Sequence, residues 1–359
     1  MKHNTYSGLI IHRIRLTTSR LRQCFYTLLI PFTLALFSLN SQAYAVGFKW
    51  IEEYDLRIGV WYPSPEKEVS TYLGPFDAEL AVDGVPEASG SYQVILFSHG
   101  NLGRVRNHHV TAKALAEAGF IVIAPLHSAD HLMAGDDIAN VLDWRVTELR
   151  FALEAVMQDN SFRSIMDISR IHALGYSLGA LTALNAAGAR IDVPSAEEQC
   201  ATEFDPAFCD LPSWSSRWRI NRLRETSTPS FNRSIEDVHH ILGFVTGGVA
   251  TVGPVGQGFG VDANTFRGQQ LLVIGLTEDD VTIPKFHALN IANAFSDVLE
   301  TEVLMFKAHH LAFISPFAKR ITDIEHILAT IDPPGFDRMN FLTEVNQALI
   351  DFFIDARSR

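Results

Sequence analysis

The stretch that decides the fold is Arg170-Ile-His-Ala-Leu-Gly-Tyr-Ser-Leu-Gly-Ala-Leu-Thr-Ala-Leu184. Its apolar first half predicts a short buried strand, and its second half, rich in alanine and leucine, predicts a helix. Between them, Gly175-Tyr176-Ser177-Leu178-Gly179 predicts a tight turn, because glycines let the backbone approach its neighbours closely. The turn places the Ser177 hydroxyl at a helix N-terminus, where the helix dipole stabilises negative charge.

A Gly-x-Ser-x-Gly turn between a strand and a helix is typical of the nucleophile elbow of serine hydrolases. A serine hydroxyl is a weak nucleophile, so it needs a base and an acid that fixes the tautomer of the base. In such enzymes the acid and the histidine follow the serine, in that order, after later strands. Here one apolar strand leads to Asp279-Asp280 and the next to His309-His310. The sequence therefore predicts a Ser-His-Asp triad with Ser177 as nucleophile.

The order of residues leaves two candidates for each partner of the serine. We prefer Asp280 as the acid, because it begins an Asp-x-x-x-Pro turn similar to the one that presents the acid in many hydrolases. We prefer His310 as the base, because the apolar residues after it suit a loop that folds back onto the sheet. Asp279 and His309 are the alternates.

Two backbone N–H groups are expected to bind the oxyanion of the tetrahedral intermediate. One belongs to Leu178, directly after the nucleophile. The other belongs to Asn101, which follows His99-Gly100 at the end of an earlier strand. His99 and His127 both lie at strand ends near this loop, so we expect their rings to hold it through hydrogen bonds.

The hydrophobic pattern predicts a doubly wound α/β fold with a mostly parallel sheet, because strands that are apolar throughout alternate with amphipathic helices. The predicted strands cover residues 56–62, 93–98, 120–125, 241–245, 271–275 and 302–306, and the predicted helices cover 111–118, 138–158 and 342–354. Residues 63–90 are expected to form loops with one short strand, because they are rich in glycine and proline.

Residues 1–45 predict a cleaved secretory signal. The first acidic residue is Glu52, whereas one lysine and four arginines precede an apolar run from Phe25 to Leu39. Ala43-Tyr44-Ala45 then supplies small residues for cleavage after Ala45. The apolar run is short for a bilayer span and contains a proline, so no stable membrane span is expected after cleavage. We therefore expect an exported protein, periplasmic or secreted, with residues 46–359 as its folded domain.

The net charge and the cysteine content limit the classes of protein to which the chain can belong. The net charge of −12 argues against nucleic acid as a partner. In an exported chain Cys200 and Cys209 favour a disulfide that closes a small loop. They lie in residues 191–235, an insertion interpreted as a cap or lid beside the site, with a surface excursion as the alternative. The histidines form no His-Glu-x-x-His pattern, so no metal and no cofactor is expected.

Several motifs together resemble the α/β-hydrolase superfamily. They are Val60-Trp-Tyr-Pro63, Ser98-His-Gly-Asn-Leu-Gly103, Pro125-Leu-His127, Gly175-Tyr-Ser-Leu-Gly179, Asp280-x-x-x-Pro284 and Ala308-His-His-Leu-Ala-Phe313. Within the superfamily they are most similar to the predicted dienelactone-hydrolase group and to platelet-activating-factor acetylhydrolases. Authentic dienelactone hydrolases use a cysteine where this chain has Ser177, and Tyr176 stands where relatives often have histidine.

These observations predict an exported serine hydrolase that cleaves carboxylic esters, small or lipid, through an acyl-enzyme intermediate. A lipase-like or phospholipase-like activity on acyl lipids is the alternative, favoured if the insertion is an apolar lid. A non-catalytic binding protein on the same fold is the alternative from another class. The sequence leaves the acyl length, the alcohol group and the oligomeric state open.

Overall fold

The computed structural model describes residues 14–15, 44–127, 138–191, 198, 200–202, 205, 209, 243–256, 259–260, 269–319, 329 and 331–358. The predicted signal and the predicted insertion lie mostly outside the described residues. The described part of the chain contains a central sheet with helices on both faces. The predicted doubly wound α/β fold is confirmed.

The strands of the described chain are numbered in chain order. They are β1 (Ile14–Arg15), β2 (Ala45–Glu53), β3 (Leu56–Ser64), β4 (Val69–Leu73), β5 (Phe76–Val82), β6 (Tyr92–Ser98), β7 (Ile121–Pro125), β8 (Met166–Tyr176), β9 (Arg190–Ile191), β10 (Val249–Val252), β11 (Phe259–Gly260), β12 (Gln270–Leu276) and β13 (Glu300–Phe306). The helices are α1 (His109–Glu117), α2 (Ile138–Gln158), α3 (Asn160–Arg163), α4 (Leu178–Ala186), α5 (Ala288–Phe295) and α6 (Arg338–Ser358). Two short 3₁₀ helices are η1 (Val105–His108) and η2 (His310–Phe313).

Two parts of the sequence prediction are corrected. A strand was predicted over residues 241–245, but the described residues 243–245 do not form one. The strand at this place in the sheet is β10, which lies in the glycine-rich segment that follows. The loops predicted over residues 63–90 contain the β4–β5 hairpin. Its strands are partly exposed, so they lack the continuous apolar run that marks a buried strand.

The strand order is β1-β13-β12-β10-β8-β6-β7-β3-β2-β5-β4. The strands from β13 to β7 are parallel to one another, whereas β3 is antiparallel to β7 and β2 to β3. The chain passes from β6 to β7 and then returns across β6 to β8, so the direction of winding reverses between β6 and β8. Ligands bind at such a switch point, beyond the carboxyl ends of the strands.

Alternate residues along the strands fill two cores, one on each face of the sheet. Val94 and Leu96 of β6 pack with residues of α2, α4 and α5. Ile95 and Phe97 pack with residues of α1 and α6 on the other face. Both faces are covered, which explains why the central strands are apolar throughout. No helix in the described part of the chain is both long enough and apolar enough to cross a membrane.

Candidate active site

Ser177 occupies the sharp turn between β8 and α4. Its backbone has a φ of 53° and a ψ of −120°, a conformation that costs a residue other than glycine about 1–3 kcal/mol. Helix α4 begins at the next residue, Leu178, and the strand ends at Tyr176. The turn thus directs a buried hydroxyl outward from the carboxyl edge of the sheet, at the switch point.

The two glycines of the motif are required by close backbone contacts. A Cβ atom at Gly175 would lie 2.2 Å from the carbonyl oxygen of Gly179. A Cβ atom at Gly179 would lie 2.0 Å from the carbonyl oxygen of Ser98, at the end of β6. Both distances are far inside van der Waals contact, so only glycine allows α4 to start against β6.

His310 lies beside the serine, in the loop that follows β13. Its Nε2 atom is 3.0 Å from Oγ of Ser177. The hydroxyl of Tyr176 donates a hydrogen bond of 2.8 Å to the carbonyl oxygen of His310. The residue before the serine therefore ties the loop of the histidine to the elbow.

The acid beside His310 is Asp279, which corrects our preference for Asp280. Oδ2 of Asp279 lies 2.8 Å from Nδ1 of His310, and Asp279 is buried. Asp280 is exposed to solvent. The hydrogen bonds that close this turn, from the N–H groups of Val281 and Thr282, are accepted by Asp279. The structure therefore aligns Ser177, His310 and Asp279 in one hydrogen-bonded chain.

Asp279 is held in its ionised form by its neighbours. Burial alone would raise the pKa of this carboxyl group, but hydrogen bonds and the charge from His310, with further bonds from Thr282, lower it below its usual value. The backbone N–H groups of Val281 and Thr282 donate to Oδ1 at 2.9 and 2.7 Å. A carboxylate with four donors around it stays charged although it is buried.

Thr282 is a site residue that the sequence analysis missed. Its Oγ1 atom lies 2.8 Å from Oδ2 of Asp279, 3.0 Å from the carbonyl oxygen of Gly253 and 3.2 Å from Nδ1 of His310. The sequence feature that could have indicated this role is its position three residues after Asp279. A turn at this spacing brings the side chain back to the carboxylate.

His309, the alternate base, lies away from the serine. Its Nε2 atom is 3.0 Å from Oδ1 of Asp332. Arg338, at the start of α6, also contacts Asp332 and donates to the carbonyl oxygens of Leu311 and Ile314. Through the hydrogen bonds of Arg338, this cluster stabilises the loop after His310.

The loop after β6 packs directly against the serine. A Cβ atom at Gly100 would lie 3.2 Å from Cβ of Ser177. Gly100 to Gly103 form a turn closed by a 3.1 Å hydrogen bond from the N–H of Gly103 to the carbonyl oxygen of Gly100. Leu102 adopts a φ of 54° in this turn and is exposed.

The carbonyl group of Gly100 also determines the direction of the Asn101 N–H. Nδ1 of His99 lies 2.8 Å from this carbonyl oxygen. Because a trans peptide directs its N–H and its carbonyl to opposite sides, the N–H of Asn101 points away from the His99 ring. In the described part of the chain, the N–H of Asn101 donates no hydrogen bond. The N–H of Leu178, in the first turn of α4, has no partner within the helix.

His99 and His127 are both neutral and both support the loop. The backbone N–H of His127 donates 3.2 Å to Nε2 of His99, so the proton of the His99 ring lies on Nδ1. Burial lowers the pKa of His99 well below its usual value, as do His127 and Arg145. Burial also lowers the pKa of His127, whose ring lies between Glu148 and Ser98 at 2.8 and 2.9 Å.

Residues 73–195 match the family model of chlorophyllase. This match, the strand order and the strand-turn-helix around Ser177 together decide the fold. The chain has the α/β-hydrolase fold. The match indicates an ester hydrolase. No curated protein matches the chain.

The matched segment contains part of the site only. It includes Ser177 and the loop at Asn101 but neither Asp279 nor His310. The grouping of His310 and Asp279 with Ser177 therefore rests on the geometry alone. Among the described residues no group of three or more His, Cys, Asp or Glu side chains is arranged to hold a metal ion.

Described residues that fall within the predicted insertion contact the rest of the fold. The structure contains the predicted disulfide between Cys200 and Cys209. Within that loop, Oδ2 of Asp205 lies 2.8 Å from Nε2 of His287, and both side chains are fully buried. The N–H of Gly256 donates to Nδ1 of the same histidine at 3.0 Å. The assignment of residues 191–235 as a cap lies otherwise outside the described residues.

Proposed function

We propose that this protein is a serine hydrolase of carboxylic esters. The observation that carries the proposal is the hydrogen-bonded chain from Ser177 through His310 to Asp279, built at the end of a nucleophile elbow. The match of residues 73–195 to chlorophyllase supports ester hydrolysis independently.

The geometry supports the following steps. His310 Nε2 takes the hydroxyl proton as Ser177 Oγ attacks the ester carbonyl, and Asp279 stabilises the charged imidazole that results. The N–H groups of Leu178 and Asn101 bind the oxyanion, and each such donor contributes about 3–4 kcal/mol of barrier reduction. His310 then gives the proton to the leaving alcohol. Water, activated by the same ring, releases the acid and regenerates the serine.

Export is part of the proposal. Strand β2 begins at Ala45, the residue after which cleavage is expected, and its second residue, Val46, is buried in the sheet. Cleavage there would remove the two-residue edge strand β1 from the sheet and leave nearly the whole of β2 in the domain. The disulfide between Cys200 and Cys209 also suits an oxidising compartment.

The first experiment is labelling of the mature protein, residues 46–359, with a fluorophosphonate probe. We expect labelling of wild type, none of Ser177→Ala, and full labelling of Ser70→Ala, which changes an exposed serine on β4. Hydrolysis of p-nitrophenyl acetate, butyrate and palmitate, with chlorophyll beside them, would then define the substrate. A gain in rate at the micelle threshold would indicate a lipase. A folded wild type that is not labelled would contradict the proposal and favour a binding protein.

A further inference from the structure

Arg145, in the middle of α2, is fully buried beneath the candidate active site. It takes no part in the proposed chemistry. Burial of a guanidinium is unfavourable unless its N–H groups are well bonded. The groups that it contacts therefore show what the residue is for.

The contacts of Arg145 reach two different parts of the site. Its Nε atom donates 3.1 Å to Oγ1 of Thr182 on α4. Its terminal nitrogen Nη2 donates to the carbonyl oxygen of His99 and, at 3.2 Å, to Oγ of Ser98. One planar group thus bridges α4 and the loop after β6.

Each of these two parts carries one of the proposed oxyanion donors. Thr182 lies one turn after Leu178 on α4, and its hydroxyl donates 3.4 Å to the carbonyl oxygen of Leu178. His99 directs the N–H of Asn101 through its bond to Gly100. The separation of the two N–H groups therefore depends on how α4 and the loop are held together.

We propose that Arg145 is a positioning residue that fixes the two oxyanion donors, on Leu178 and Asn101, relative to each other. This inference rests on the proposed function. The guanidinium is rigid and presents donors in fixed directions, whereas a lysine ammonium is a single point that cannot bridge both parts.

The neighbours of Arg145 complete the bridge. Nδ1 of His127 donates to Glu148, which lies one turn after Arg145 on α2. Nε2 of the same ring then accepts the hydroxyl proton of Ser98. The lone pairs of Ser98 Oγ are left for Arg145, so every hydrogen bond in the chain has one donor and one acceptor.

The test uses Arg145→Lys and Arg145→Met, with Arg150→Lys and Arg150→Met as matched controls. Arg150 lies on the same helix, is partly exposed and pairs with Glu154. We expect kcat for p-nitrophenyl acetate to fall about 100- to 1,000-fold in both Arg145 variants, as for loss of one oxyanion donor. KM should change less than about threefold. The controls should match wild type.

A second readout separates positioning from a loss of structure. A trifluoromethyl ketone forms a tetrahedral adduct with the serine, so its inhibition constant should rise by the same factor as kcat/KM falls. If the Arg145 variants do not fold, Thr182→Val removes one contact of the bridge. It should lower kcat about tenfold, and Thr182→Ser should restore it.

Three results would overturn the inference while wild type is labelled by the fluorophosphonate. They are a wild-type kcat in Arg145→Lys, an unchanged inhibition constant in a slow variant, or full activity in Thr182→Val. A wild type that is not labelled would instead remove the proposed function, and this inference with it.

Discussion

Nδ1 of His310 lies 2.8 Å from Oδ2 of Asp279, and the carboxylate next to it in the chain, that of Asp280, is exposed. Asp279→Asn should therefore lower kcat for p-nitrophenyl acetate about 10³- to 10⁴-fold, because the histidine loses the group that fixes its tautomer. Asp280→Asn is the matched control and should stay within about twofold of wild type. The reverse ranking of the two variants would show that the turn rearranges in solution.

The hydroxyl of Thr282 contacts both members of the Asp279–His310 pair. We expect Thr282→Val to lower kcat about tenfold, since a hydrogen bond to a charged group contributes about 1.5–3 kcal/mol. Thr282→Ser keeps the hydroxyl and should retain most of the activity. Steady-state kinetics of both variants check this prediction, and a loss in Thr282→Ser with none in Thr282→Val would point to packing of the methyl group instead.

The buried ring of His109 links stability to pH. Burial lowers its pKa from 6.5 to about 4, with a smaller effect of Lys113. Between these values the unfolded chain binds a proton that the folded chain does not. The contribution of His109 to stability is therefore complete above pH 6.5 and is lost as the pH falls towards 4.

His109→Leu should weaken this acid sensitivity. Nε2 of His109 has no hydrogen-bond partner in the described part of the chain, so leucine removes a buried polar atom as well. The free energy of unfolding, measured in urea at pH 7.5 and pH 5, should fall less in the variant than in wild type. The expected difference is about 1.4 kcal/mol per pH unit within the titration range. Equal falls in the two proteins would contradict the prediction.

Gly179 has no room for a side chain, because a Cβ atom would lie 2.0 Å from the carbonyl oxygen of Ser98. We expect Gly179→Ala to push α4 away from β6, to lower the melting temperature and to abolish labelling by the fluorophosphonate. The free energy of unfolding should fall by about 3 kcal/mol or more. Labelling at the wild-type rate would show that the backbone yields more readily than the structure indicates.

The disulfide between Cys200 and Cys209 spans a sequence separation of 9 residues. In the chain-entropy account, a loop of this size stabilises the folded state by about 2–3 kcal/mol. Cys200→Ser/Cys209→Ser should be less stable than the oxidised wild type by that amount. It should equal the wild type measured in dithiothreitol. A variant as stable as the oxidised protein would show that this segment unfolds separately from the domain.

Most of the sheet could be predicted because the central strands are buried on both faces. Strands β6, β7 and β12 are mostly apolar runs, and β8 and β13 become apolar only towards their carboxyl ends. The pattern located each of the five within a few residues. The short strand β10 was missed because glycines surround its few residues. The apolar run at residues 241–245 was predicted as the strand instead. Of the β4–β5 hairpin only one short strand was expected, because its residues are partly exposed.

The candidate site was predictable where a residue is fixed by its place after a strand. Ser177 follows β8 directly, and His310 lies in the short loop after β13. The choice between Asp279 and Asp280 depends on which hydrogen bonds close the turn, and a linear sequence does not show this. For Arg145 and Glu148 the sequence did contain a signal, which was not used. Two charged residues lie one turn apart on the apolar face of α2, and this pattern indicates buried polar contacts.

The site is assembled from distant parts of the chain, since Ser177 and His310 are separated by 133 positions in sequence. A nascent or refolding chain therefore gains a reactive serine only after β12 and β13 have joined the sheet and their loops have closed. In a refolding experiment, the rate at which fluorophosphonate reactivity returns would report the last steps of tertiary assembly. Circular dichroism would already have registered the earlier helices. The reactivity of the proposed nucleophile is thus an internal probe of the completion of folding.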